Sequence, residues 1–349
     1  MKKEKLTRER HLHNKTVFCK INSINTLAYI LKTEKRKLLM MAKQPRYRTF
    51  TIPKKDGGER EIETPFADLK KVQSYISRYL QSTYYFEKSS SAYGFIVGVR
   101  NEQDRRNVVT NAQKHINRPY MVNIDLKDFF HSVTKERVIQ IFSHPPFNFK
   151  RDLPEIFANL TTYKDRLPMG TPTSPVLSNF SCRSLDRTLT KFADLHGWIF
   201  TRYADDMTFS SNEPIAAEKY NALQAIIKKE GFKVNEKKLK FYGPKDVKII
   251  TGLVVTDTVN LEPSYIPNLQ KEIQHLRSVV HSQNEQGHLS TRWVEQFKKQ
   301  LRGRINFATF VLPRGDKKSQ RLKDAFYAAI EPPEEYFGAV SWRGFPYNL

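Results

Sequence analysis

The stretch RYADDMTFS, residues 202–210, sets Asp205 and Asp206 side by side between two short apolar runs. Neighbouring like charges repel unless a cation lies between them. A third carboxylate, Asp125, stands 80 residues earlier in YMVNIDLKDFF, where Val122, Ile124 and Leu126 share one strand face and Asn123 and Asp125 the other. Hard carboxylate oxygens of this kind are what Mg²⁺ takes. Two such ions about 3.5 to 4 Å apart can activate an attacking hydroxyl and stabilise a leaving pyrophosphate. An Asp pair in a hairpin is also an ordinary turn former, so the pair alone leaves both readings open.

The elements that must position these groups are mixed. GWIFTRYADDMTFSS reads as two short strands meeting at Asp205-Asp206, and DVKIITGLVV as a further strand. Upstream, residues 21–43 read as helical and RYRTFTIPKKDGGEREIETP as a hairpin turning at its glycines. LKKVQSYISRYL reads as a helix with Leu69, Val72, Ile76 and Leu80 on one face. From Ser264 onward one helix carries Ile266, Leu269, Ile273, Leu276 and Val280, and a second carries the stripe Trp293, Phe297, Leu301, Ile305 and Ala308. Strands followed by runs of helix favour an α+β architecture.

With 349 residues, 39% of them hydrophobic, the chain can bury a large core in more than one lobe. Its two cysteines, Cys19 and Cys182, form no cluster with the nine histidines, which argues against structural zinc and a disulfide framework. No apolar run suits a membrane helix or a signal peptide, so a cytoplasmic protein with no membrane partner is expected. Lys and Arg total 59 against 36 Asp and Glu. The excess is concentrated: residues 1–50 hold 14 cations against 3 Glu, and residues 289–323 hold 10 against 2 acids. Nucleic acid is the partner this charge suits best, although a solvated charged face or an anionic membrane surface gives the same pattern.

Read in order over residues 45–310, the motifs resemble those of the reverse transcriptases. NIDLKDFF resembles the first catalytic Asp motif, LPMGTPTSP the template-primer loop, RYADDMTFS the YxDD hairpin, and GFKVNEKKLKF the G…N..K element that follows. The resemblance implies a right-hand polymerase fold with fingers, a palm of antiparallel sheet plus helices, and a helical thumb. It places a basic helical extension over 1–44, fingers over 45–120, a palm over 121–250 with a helical insertion around 135–165, and thumb with C-terminal RNA-binding region over 251–349. It makes Asp125, Asp205 and Asp206 the catalytic carboxylates, holding two Mg²⁺ ions with the Leu126 carbonyl as a further ligand. Phe130 matches the aromatic gate against a ribonucleotide 2′-hydroxyl. Lys54, Arg60 and Lys238 match cations around the incoming triphosphate, Gly170 a backbone contact to the nucleotide, and Asn235 the residue fixing the turn before Lys238. Met169 stands where the family usually has Gln, which removes an amide contact.

Two further stretches resemble the bacterial retron branch of that family. NAQKH, with Asn111 and His115, resembles its NAxxH motif, and ITGLVV, with Thr251 and Gly252, its VTG motif. Arg292, Lys298, Lys299, Arg302 and Arg304 surround the apolar stripe of the last helix and are expected to meet RNA phosphates. The resemblance implies an enzyme that binds a structured non-coding RNA, primes from an RNA 2′-hydroxyl, and copies part of the RNA into multicopy single-stranded DNA that stays joined to it. It further implies an effector or toxin protein in anti-phage defence. No RNase H region is expected after the thumb, so host RNase H would remove the copied RNA. The alternatives are another free-standing bacterial defence or intron-derived reverse transcriptase, and a catalytically idle nucleic-acid-binding scaffold, against which the three aspartates argue.

Overall fold

Short polar side chains decide where the first helices begin. The computed structural model describes residues 6–53, 57–99, 102–285 and 291–330, and the chain divides into two units, Met1–Thr251 and Gly252–Leu349. The first unit opens with α1 (Arg8–Cys19), α2 (Ile24–Ile30) and α3 (Lys35–Lys43). Thr7 and Ser23 cap α1 and α2 by accepting from the amides of Arg10 and Thr26. The stretch 21–43 is therefore not one helix, because Lys32 takes a left-handed φ of 53° between α2 and α3. β1 (Tyr47–Pro53) and β2 (Glu59–Pro65) form the expected antiparallel hairpin, largely exposed, with Tyr47 opposite Pro65 and Ile52 opposite Arg60. Next come α4 (Ala67–Glu87), whose Leu69, Val72, Ile76 and Leu80 are all buried, and α5 (Val108–Gln113).

The central sheet is built from β3 (Tyr120–Asp125), β4 (Ile199–Tyr203), β5 (Asp206–Ser211) and β6 (Lys240–Tyr242), antiparallel throughout and ordered β4-β5-β3-β6. Between β3 and β4 the chain inserts α6 (Lys135–Ser143), α7 (Leu153–Thr161), α8 (Ser174–Ser181) and α9 (Arg183–Leu195), and α10 (Ala217–Lys229) follows β5. Val122 and Ile124 of β3 and Met207 and Phe209 of β5 are buried in the core with these helices. A second part of the same core is aromatic: Phe142 stacks on Phe157 at 4.6 Å and Phe149 on Phe157 at 5.0 Å, with Phe18 of α1 edge-on. At about 1.5 to 3 kcal/mol for each fully buried large apolar side chain, this cluster fastens the N-terminal helices to the insertion.

Residues 246–255 are not one strand. β7 (Lys248–Ile250) and β8 (Leu253–Val255) are separated by Thr251 and Gly252, both left-handed with φ of 48° and 79°. In the second unit β8 pairs with β9 (Val259–Leu261), followed by α11 (Tyr265–Glu285), α12 (Arg292–Val311) and α13 (Lys317–Ile330). The α11 stripe Leu269, Ile273, Leu276 and Val280 is buried as expected. In α12 the buried stripe is Val294, Leu301, Ile305, Ala308 and Val311. Trp293, expected inside, is 57% exposed and stacks on Phe297 at 5.5 Å. Trp293 and Val294 are neighbours about 100° apart around the helix, and the smaller side chain faces inward.

Candidate active site

Strand register brings the three aspartates together. Asp125 ends β3 directly opposite Asp206, the first residue of β5, and Asp205 occupies the tight turn from β4 with Ala204 at φ 60°. The Leu126 amide donates to the Asp205 carbonyl at 3.0 Å, which locks the turn against the end of β3. On the other side, the Asn235 amide donates to the Asp125 carbonyl at 2.8 Å and the Lys127 amide to the Lys233 carbonyl at 2.8 Å. The short 3-10 turn Glu236–Lys238 is thereby drawn to the same corner. Asp125 Oδ2 accepts from Asn235 Nδ2 at 2.9 Å, and Asp125 Oδ1 pairs with Lys238 Nζ at 2.9 Å.

The corner holds more negative charge than it can comfortably solvate. Burial, reinforced by Asp205 and Asp125, pushes the Asp206 carboxyl up to about 7; its edge reaches solvent, but most of its surroundings are protein. Burial also raises Asp205, with Asp125 adding to the effect and Lys238 and Arg60 opposing it. The hydrogen bond to Asp125 raises Lys238. Among the described residues no three acidic, His or Cys side chains form a closed cage, and both Asp125 oxygens are already engaged by Asn235 and Lys238. The donor types nevertheless suit hard divalent cations: three carboxylates at one strand end, two of them with pKa values raised by burial and by one another's charge.

A buried arginine carries this turn. Arg202, on β4 three residues before Asp205, is 0% exposed, and its Nε and Nη2 donate to Asp186 Oδ1 and Oδ2 at 2.6 and 2.8 Å. Its Nη1 donates to Asn179 Oδ1 and to the Ala204 carbonyl, each at 3.0 Å. Segment 91–94 pairs alongside: the Arg202 amide donates to the Ser91 carbonyl and the Tyr93 amide to the Arg202 carbonyl, each at 2.8 Å. Gly94 lies so close that a Cβ there would meet the Ala204 nitrogen at 2.5 Å. Sequence reasoning missed Arg202, Asp186 and Gly94. The one available signal was a charged residue within a short strand that begins with the apolar pair Ile199-Phe200.

The other expected residues fall into distinct places. Phe130 is half-buried against Phe129 at 5.5 Å and Phe95 at 6.0 Å. Gly170, at φ 110°, packs on the hairpin so tightly that a Cβ would meet Ile62 Cγ2 at 2.7 Å. Beside it the Met169 carbonyl accepts from the Glu63 amide at 2.6 Å, so this position works through its backbone whatever its side chain. Glu63 is fully buried and forked by Arg166 Nη1 and Nη2 at 2.8 and 3.1 Å, a tie between hairpin and loop that the sequence did not disclose. Arg60 is exposed on β2, and Lys54 lies outside the described residues.

Asn111 and His115 are corrected. Both are buried, and His115 places Nδ1 2.7 Å from Ser210 Oγ and Nε2 2.7 Å from Thr201 Oγ1, bridging β4 and β5 from within. Burial pushes its pKa down to about 3, so it is a neutral brace held inside the protein between β4 and β5. Thr251 and Gly252 make the left-handed break between β7 and β8. On α12, Arg292, Lys299 and Arg302 are exposed, whereas Lys298 pairs with Glu295 at 3.0 Å and Arg304 is held by Glu272 of α11.

Comparison with known proteins converges on the same chemistry. Residues 52–255 match the reverse transcriptase (RNA-dependent DNA polymerase) family. The chain is 33% identical to the retron Ec86 reverse transcriptase of Escherichia coli over 251 residues, covering 70% of this chain and 75% of the relative. It is 30% identical to the retron Mx65 reverse transcriptase of Myxococcus xanthus over 296 residues, 79% of this chain and 64% of the relative. To the retron Mx162 enzyme of the same organism it is 29% identical over 269 residues, 68% of this chain and 53% of the relative. With its carboxylates in register at one end of an antiparallel sheet, the chain belongs to the retron reverse transcriptases, RNA-directed DNA polymerases of α+β fold.

Proposed function

We propose that this polymerase copies part of a partner non-coding RNA into multicopy single-stranded DNA, primed from an RNA 2′-hydroxyl, as the synthetic half of an anti-phage retron with an effector protein. The observation that carries the catalytic part is the register of Asp125 against Asp206 with Asp205 in the adjoining turn. These three side chains would hold two Mg²⁺ ions. When bound, the ions supply Lewis acidity to the attacking hydroxyl and neutralise charge on the leaving pyrophosphate. Asn235 keeps one Asp125 oxygen oriented, and Lys238 and Arg60 add fixed positive charge at the corner where a triphosphate would gather negative charge. Phe130, stiffened by Phe129 and Phe95, closes the sugar side against a 2′-hydroxyl. Host RNase H removes the copied RNA, and the work is done in the cytoplasm.

The test is the nucleic acid that copurifies with the full chain. A branched species that loses its DNA arm to DNase and its RNA arm to RNase is expected. Linear nucleic acid alone would refute branch-primed synthesis, and an Asp205→Asn chain that still extends a primer would refute the carboxylate assignment.

A further inference from the structure

A small cavity separate from the aspartate corner lies where the segment after α4 meets α9. It measures about 290 Å³, with Glu87, Ser89 and Ser90 on one wall and Arg183, Arg187, Thr190 and Lys191 on the other. The spacing is the informative feature. Arg183, Arg187 and Lys191 recur every fourth residue, so they share one face of α9, while Leu185, Asp186, Leu189 and Ala193 on the opposite side are buried. The helix is anchored by one face and offers a basic row on the other.

The cations of that row are not equally occupied. Arg183 Nη2 pairs with Glu87 Oε2 at 3.0 Å, and the other Glu87 oxygen takes Lys15 Nζ at 2.7 Å, so that acid is already matched by two cations. Arg187 and Lys191 have neither an ion pair nor a hydrogen bond among the described residues, yet both line the cavity. Thr190 Oγ1 donates to Ser91 Oγ at 3.2 Å, which itself lies 2.9 Å from Ser89 Oγ, so the hydroxyl wall is held in place. Two unpaired cations, one a planar fork and one a point charge, facing fixed hydroxyls in a recess far too small for a duplex, are a phosphate's complement.

We infer that this cavity binds one backbone phosphodiester of the partner RNA, at a segment of that RNA outside the template-primer duplex. The inference rests on the partner-RNA reading given above. Its chemistry is charge and hydroxyl donation, so it is indifferent to base sequence and serves to moor the RNA on the first unit.

The test compares the full-length chain with its Arg187→Gln/Lys191→Gln variant for binding of the partner RNA across a salt series. Losing the neutralisation of that one phosphate should lower the slope of log affinity against log salt by about 0.7 to 0.9. Extension of a short preannealed template and primer should keep its kcat/KM, and the charge-retaining Arg187→Lys/Lys191→Arg variant should restore the slope. An unchanged slope in the glutamine variant overturns the inference. So does equal loss in both variants, which would mean packing rather than charge. Thermal stabilisation by inorganic phosphate that the glutamine variant loses, with RNA binding unaffected, would mean an adventitious ion only and overturns it too. Single-stranded DNA of equal length serves as a second arm: loss confined to RNA, or shared by both polymers, supports a phosphodiester site. Failure of the wild-type chain to bind any such RNA is a different result, which brings down the partner-RNA reading and this inference with it.

Discussion

Burial and the neighbouring aspartates raise the Asp206 carboxyl to about 7, far above the ordinary 3.8, and a metal ion held there as proposed would have to displace its proton. Apparent Mg²⁺ affinity should therefore weaken by about tenfold per pH unit below 7 and level off above it. Titration at pH 6 and pH 8 checks this, and Asp206→Asn should abolish the difference; equal affinity at both values would contradict it. In the metal-free protein the sign for stability is opposite to that of a salt-bridged acid. The raised carboxyl favours the folded state below 3.8 and loses that advantage as pH climbs to 7. His115 runs the other way: its folded pKa of about 3 lies under the unfolded 6.5, so its contribution is whole above 6.5 and falls by about 1.4 kcal/mol per unit as pH drops toward 3. The denaturation midpoint of His115→Gln should accordingly depend less on pH between 6.5 and 4 than that of the wild type. Phe130→Ala opens the sugar side, and the variant should incorporate ribonucleotides; unchanged discrimination between the two sugars would remove the gate assignment.

At the level of elements, what matters is how the β4–β5 turn is supported. Asp186→Ala would leave the Arg202 guanidinium buried and unpaired, at a cost of about 3 to 5 kcal/mol, measurable by chemical denaturation. Gly94→Ala should act differently. Its Cβ would be driven into the Ala204 backbone, so turnover should fall by more than the lost stability accounts for. Much of this layer was legible: the spacing of α4 and α11 gave the helix faces correctly, because each buries one side against a core, and β3 was recognisable as a strand although both of its faces are covered. The Arg202–Asp186 pair was not, since an ion pair between residues 16 apart on different elements leaves no periodic trace. Nor was the inward role of His115, because a motif match records which residue is present and not which way it faces. The α12 cations show the same limit. Charge reversal at Lys299 and Arg302 should weaken partner-RNA binding and flatten its salt dependence, whereas Arg304, tied to Glu272, would disturb α11 against α12 and is unsuitable for that test.

Across the whole molecule the charge pattern was readable and its allocation was not. A net +23 favours a polyanion partner, but only the structure separates cations paired within the protein, such as Arg202, Arg166 and Arg304, from those without a protein partner among the described residues, such as Arg187 and Lys191. The α+β architecture followed from the order of strand and helix signals. The breaks at Lys32 and Thr251 did not, because left-handed backbone at non-glycine positions has no compositional signature.

The bracing of Asp205 and Asp206 also bears on protein engineering. The YADD turn takes its shape from Arg202, which is gripped by Asp186 and Asn179, and from Gly94 pressed against Ala204. A designer who grafts only the β4–β5 hairpin onto another scaffold would transplant the carboxylates without the geometry that aligns them. The smallest portable unit is discontinuous and includes segment 91–94, α8, α9 and the hairpin. Directed evolution confined to residues 199–211 would be searching the part of the site least free to change alone.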